Sequence, residues 1–256
     1  MDVREYNRRA WDKQVAKGNV WTRAVSPQVI TDARRGDWSV LLTEERPAPR
    51  EWFGDIRGKD ILCLASGGGQ QGPVLAAAGA RVTVFDNSPR QLAQDRLVAE
   101  REGLDLTTIE GDARDLSILA DQSFDLVFHP VSNVFFPAVR PVWREVFRVL
   151  RRGGALLAGF MNPAFYLFTS DAQDGKEPLI VVHSLPYADT HDLSETELEQ
   201  LMGEGIPLEY SHSLSDQIGG QLDAGLLLTA MYETRHSEAA LGRYMQTYIA
   251  TRAIKP

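Results

Sequence analysis

One cysteine, Cys63, is all that the 256 residues contain. A lone thiol excludes an internal disulfide framework and a cysteine-rich zinc site, and it fits a reducing compartment. Basic residues are also in short supply: 27 Lys plus Arg stand against 35 Asp plus Glu, for a net charge of −8. That balance argues against broad binding to a phosphate backbone, which needs a basic face. No apolar run approaches the roughly 20 residues of a membrane span. Met1-Asp-Val-Arg-Glu-Tyr-Asn-Arg-Arg9 lacks the apolar core of a signal peptide. There is no internal repeat and no low-complexity segment. The expectation is a soluble cytoplasmic protein with neither membrane nor nucleic-acid partners. With 43% hydrophobic residues it can build a sizeable core.

What is present centres on Asp60-Ile-Leu-Cys-Leu-Ala-Ser-Gly-Gly-Gly-Gln-Gln-Gly72. A short apolar run breaks into a glycine turn, and small residues follow to Gly79. That order predicts strand, turn, helix. Near Gly67 and Gly69 a ligand can approach the backbone, since no Cβ stands in the way, and the next helix would aim its first N–H groups at it. The apolar run Arg81–Phe85 closes on Asp86, where a carboxylate can accept from ribose hydroxyls.

The alternation continues to about 161, with strands expected at about 60–65, 81–85, 105–109, 124–128 and 155–160. Helices are expected at about 70–79, from Ser88-Pro89 to Gly103, and at about 139–150. Arg151-Arg-Gly-Gly154 reads as the turn before the fifth strand. Repeated β-α-β units imply a doubly wound, mostly parallel α/β sheet, with ligands at the carboxyl ends of its strands. Residues 226–232 and 247–254 are joined too closely for a comfortable parallel crossover, so an antiparallel pair at the sheet edge is favoured. The expected total is about seven strands.

Two regions fall outside that pattern. Residues 1–58, with Trp11, Trp21, Trp38 and Trp52, predict an N-terminal helical cap on a main domain of residues 59–256; aromatic packing is the simplest use of the tryptophans. Residues 162–210 interrupt the alternation as a lid-like insertion. Within it, Pro178–His183 predicts an extra strand, and Ser194 with Glu197 predicts a capping box.

Gly67-x-Gly69-x-x-Gly72 with Asp86 matches a dinucleotide fingerprint, which admits a nicotinamide cofactor as well as other adenosine ligands. Taken with Gly111-Asp112-Ala113, Phe124–Phe128 and Val149–Ala155, the chain resembles the class I S-adenosylmethionine-dependent methyltransferases over about 59–161. The resemblance implies a Rossmann-like sheet with an inserted antiparallel last strand, and S-adenosylmethionine as cofactor. It implies a cofactor site at Ala65, Ser66, Gly67, Gly69, Gln70, Asp86, Asn87, Gln91, Asp112, Ala113 and His129. Asp86 would hold the ribose and Asp112 the adenine amino group. The chain departs from the family where an acid and a glycine commonly stand, with Cys63 and Ala65; Ser66 and Gln70 would replace the lost carboxylate. His129, at the end of the fourth strand, is the candidate general base. His129-Pro-Val-Ser-Asn133 lacks the Asn/Asp-Pro-Pro-Tyr motif of amino-group DNA and glutamine methylases. The expected activity is methyl transfer to a small-molecule acceptor. A nicotinamide-dependent oxidoreductase and a cofactor-binding protein without turnover remain alternatives. No metal site is expected from His183, His191 and His212.

Overall fold

A computed structural model describes residues 1–256. In chain order its elements are α1 (Val3–Lys17), α2 (Pro27–Arg34), β1 (Asp60–Leu64), α3 (Gln71–Ala77), β2 (Arg81–Asp86), α4 (Pro89–Glu102), β3 (Leu106–Glu110), β4 (Phe124–His129), α5 (Arg140–Val149) and β5 (Leu150–Met161). Then come α6 (Ser170–Gln173), α7 (Asp189–Asp192), α8 (Glu195–Glu204), α9 (Gly220–Asp223), β6 (Leu227–Thr234) and β7 (Tyr248–Ile254). The seven strands lie in the order β3-β2-β1-β4-β5-β7-β6. β7 runs antiparallel to both of its neighbours, β5 and β6, which gives the expected antiparallel pair at that edge. Strand order reverses between β1 and β4, and the crevice beyond such a reversal is where α/β sheets take ligands.

Local chemistry explains the helix limits. Ser88 Oγ accepts from Gln91 N at 3.1 Å, Pro89 occupies the first turn, and Gly103 ends α4 in the left-handed conformation. Ser194 and Glu197 form the reciprocal capping box that opens α8.

Two expectations need correction. β5 starts at Leu150, so residues 151–154 belong to the strand as an irregular stretch: Phe124 pairs with Leu150, but Leu126 pairs with Ala155. Arg151 pins that stretch by pairing with Asp60 and Asp125, each at 2.8 Å. Residues 178–183 form no strand. Their β-branched side chains suit a sheet, but the segment pairs with neither edge strand, β3 or β6; its amides at Val182 and His183 instead donate to the Leu167 carbonyl.

The cap has no core of its own. Trp38, Leu42, Trp52 and Phe53 pack with Ile61, Phe128 and Leu157 in one cluster on one face of the sheet. On the other face Leu62, Val127 and Leu156 meet Val142, Trp143 and Val146 of α5. At Gly159 the Leu42 carbonyl crosses so closely that any Cβ would collide with it. No helix is long and apolar enough to cross a membrane.

Candidate active site

The carboxyl ends of β1, β2, β3 and β4 open into a cavity of about 550 Å³, lined by Ala65, Asp86, Gly111 and Pro130 among others. Ala65 leaves β1 with φ 47°, a left-handed conformation that glycine adopts freely and alanine does not. The backbone thus takes a glycine-like conformation at the position where the resemblance leads one to expect glycine. Asp86 is half-buried. Its Oδ2 accepts from Gly67 N and its Oδ1 from Ser88 N, both at 2.9 Å. Burial raises its pKa, and these N–H donors work against that rise. A carboxylate has about four lone-pair sites, so part of its acceptor capacity is left for a ligand in the cavity it lines.

Ser66, Gly67, Gln70, Asn87, Gln91, Asp112 and Ala113 line the same end. Ser66 Oγ and Gln91 Oε1 are buried there with no protein partner. A buried polar atom without a partner is costly, so this end is built for a polar ligand, and an adenosine cofactor fits it. Asp112 is gripped by Arg114 at 2.6 and 3.0 Å. Burial pushes the Asp112 pKa up, but the Arg114 hydrogen bonds and charge bring it below the usual carboxylate value. Arg114 was not anticipated from sequence.

Three predicted residues sit differently. Gly69 does not line the cavity; a Cβ there would meet Gln94 O at 2.8 Å and Ala24 Cα at 3.1 Å, and its carbonyl accepts from Val25 N at 2.9 Å. Its bare backbone admits the cap, not a ligand. Gln70 lines the cavity, but its amide donates to Val20 O at 2.8 Å and Arg23 O at 3.0 Å, so those donors serve the cap as well. His129 is fully buried and absent from the cavity wall. The alternation of β4 sends Phe128 to the cap face and His129 to the α5 face, where it meets Trp143 edge-on. Its Nδ1 lies 2.9 Å from Leu64 O, and its Nε2 meets the Asn133 side chain. Desolvation lowers its pKa against those hydrogen bonds. With both nitrogens engaged, His129 positions the ends of β1 and β4, and the general-base expectation is not met.

Beneath the glycine turn, α4 places a buried carboxyl group that does not line the cavity. Asp95 is fully buried, accepts from Gly68 N at 2.9 Å, and is pushed up to about 8 by burial.

Under β5 and β7 the cavity has a second end that the sequence did not reveal. Tyr166 donates to Glu209 at 2.7 Å, and His236 Nε2 lies 2.8 Å from Glu44. Tyr248, on the same wall, has its pKa raised by burial and then by Glu44 and Glu209. Burial pushes Glu209 up to about 7, with the charges of Asp189 and Glu44 adding to the rise. One signal was available: an antiparallel β7 puts its first residue, Tyr248, beside Met161 at the rim. Trp11 and Trp21 also line the cavity, whereas Trp38 and Trp52 are core. Tyr6 is not on that wall; its hydroxyl donates to Ile206 O at 2.9 Å and ties α1 to the insertion. His183 lies against Tyr187, His191 is exposed beside Asp192, and His212 is bonded to Asn133 O, so the three do not converge.

Residues 62–158 match a family described as a methyltransferase domain. The chain is 50% identical over 250 residues to a Bacillus subtilis protein named uncharacterized methyltransferase YbaJ, covering 98% of this chain and 97% of that one. An S-adenosylmethionine-dependent methyltransferase from Mesorhizobium loti shares the fold with TM-score 0.62 at 17% identity, over 80% of this chain and 94% of the other. One from Methanosarcina mazei gives 0.60 at 17% identity, over 81% and 98%.

Proposed function

Because this chain belongs to the methyltransferase family, in its class I Rossmann-like form, we propose that its acceptor is a small molecule. Its methyl donor is S-adenosylmethionine, which brings a sulfonium methyl already activated toward nucleophiles. The observation that carries the acceptor reading is the make-up of the cavity wall: the cap contributes Trp11, Trp21 and Glu44, and the insertion region contributes Tyr166 and Glu209. No lysine lines it, and its two arginines, Arg4 and Arg114, are engaged with Asn87 and Asp112, so a phosphate backbone has little to bind. The buried free thiol at Cys63 is consistent with a cytoplasmic setting.

On this reading each residue has a part. Asp86 offers its open lone pairs to ribose hydroxyls, while Gly67 and Ser88 hold it in orientation. Gln91 and Ser66 present their unpartnered oxygens to the same ligand. Asp112 would lie near the adenine as a wall residue, since Arg114 already donates to both of its oxygens, with Ala113 beside it and Asn87 held by Arg4 at the mouth. The protein's main task is then to align the acceptor and keep water out.

Calorimetry with S-adenosylhomocysteine tests the donor site. A ligand at about 100 times its Kd stabilises the fold by about 2.7 kcal/mol, and Asp86→Ala is expected to weaken binding at least about 100-fold. Transfer of labelled methyl to a metabolite library, with none to total RNA or protein, supports the acceptor reading. Label appearing only in the RNA or protein fraction overturns it.

A further inference from the structure

We propose that the second end of the cavity takes a small organic amine, received as its ammonium ion between Glu44 and Glu209 and against the rings of Tyr166 and Tyr248. This rests on the methyltransferase reading and names the acceptor class within it. Two carboxyl groups, two phenols and one imidazole converge there, and no lysine lines the cavity. Its only arginines, Arg4 and Arg114, are anchored at the opposite end by Asn87 and Asp112. Glu209 makes no ion pair with a lysine or arginine, and the one ring that could carry charge here, His236, lies on Glu44 at 2.8 Å. Burial without a counter-ion is why Glu209 holds its proton up to about 7. A cation placed there relieves that penalty. A carboxylate or phosphate acceptor would aggravate it.

The chemistry closes. The ammonium gives one proton to Glu209, a carboxyl group able to accept it near neutral pH. The freed nitrogen lone pair forms the N–CH₃ bond as the methyl–sulfur bond breaks, its electron pair staying on sulfur. The product leaves as a methylammonium ion, and Glu209 returns its proton to water.

The test uses the full chain and three readouts. Calorimetry with S-adenosylhomocysteine alone reports the donor site. Melting curves with that ligand present report binding of benzylamine, phenethylamine and cyclohexylamine, against benzyl alcohol, phenol and phenylacetate. Labelled methyl transfer is measured on the same six compounds. The amines are expected to raise the melting temperature and to accept methyl. Glu209→Gln and Glu44→Gln should each raise the amine KM at least about tenfold, with the S-adenosylhomocysteine Kd held within about twofold. If one variant unfolds, the other carries the test; Tyr166→Phe, which keeps the ring and removes the donor to Glu209, is expected to shift the pH optimum of transfer. Transfer to the alcohol, phenol or acid but to no amine overturns the proposal. So does an absence of amine binding with S-adenosylhomocysteine in place, or glutamine variants that weaken only S-adenosylmethionine. Failure of S-adenosylhomocysteine itself to bind strikes first at the donor-site reading, and so separates the two.

Discussion

The two ends of the cavity are built in opposite ways. The donor end comes from one stretch, Ala65 to Arg114, in which each βα turn delivers its residues within a few positions of a strand end. The other end is assembled from Glu44, Tyr166, Glu209, His236 and Tyr248, which share no local motif. A local design can be stiff, because capped helices and backbone N–H groups hold each side chain. A design gathered from distant segments depends on how the cap and insertion close on each other. Asn7 shows how much such closure asks of one residue: its amide donates to Phe135 O and Leu208 O, both at 3.0 Å, and accepts from Leu208 N at 2.8 Å.

The largest expected effect separating the ends is in pH-dependent stability. Asp95 rises from 3.8 to about 8 and Glu209 from 4.5 to about 7. Both folded-state values lie above the unfolded ones, so their stability contribution is complete below pH ~4 and is lost as pH climbs through ~7 to ~8. Asp95→Asn keeps a neutral acceptor for Gly68 and is expected to flatten that decline by several kcal/mol; Glu209→Gln flattens it less. Urea midpoints between pH 5 and 8.5 measure both. Equal effects would mean that the donor end is no more tightly sealed than the other.

A smaller effect is expected at Gly68. Its φ is 123°, and a Cβ there would strike the Trp21 carbonyl. Gly68→Ala should cost about 3 kcal/mol and speed proteolysis within residues 18–26, as the cap lifts from the glycine turn. Unchanged cleavage would show that the turn and the cap are independent. The smallest is Ala65→Gly. Relief of the left-handed strain, about 1–2 kcal/mol, is largely offset by added chain entropy of about 0.5–1 kcal/mol. A melting-point rise worth no more than about 1 kcal/mol is expected.

The same contrast explains what could be read in advance. Ser88-Pro89 and Gly103 bracket α4 because capping is settled within one turn of chain. Asp86 was visible because it ends a strand that follows a glycine turn. His129 was placed at the correct strand end, but its direction depends on which face α5 covers, and no local pattern carries that. Gly69 and Gln70 were assigned to a ligand because the sequence cannot show that residues 20–25 arrive at the same backbone. Residues 178–183 have strand composition, yet their amides turn to the Leu167 carbonyl, a contact that composition does not foretell.

β7 lies between β5 and β6 although it is the last of the seven strands in sequence. A ribosome therefore releases both neighbours before the strand that joins them. Until Tyr248–Ile254 emerge, the nascent sheet stops at β5 with an unpaired margin, and β6 has nothing to dock on. Translation thus withholds the keystone until after everything it must unite, and Lys255 then latches it by donating to Phe147 O and Leu150 O at 2.7 and 2.8 Å.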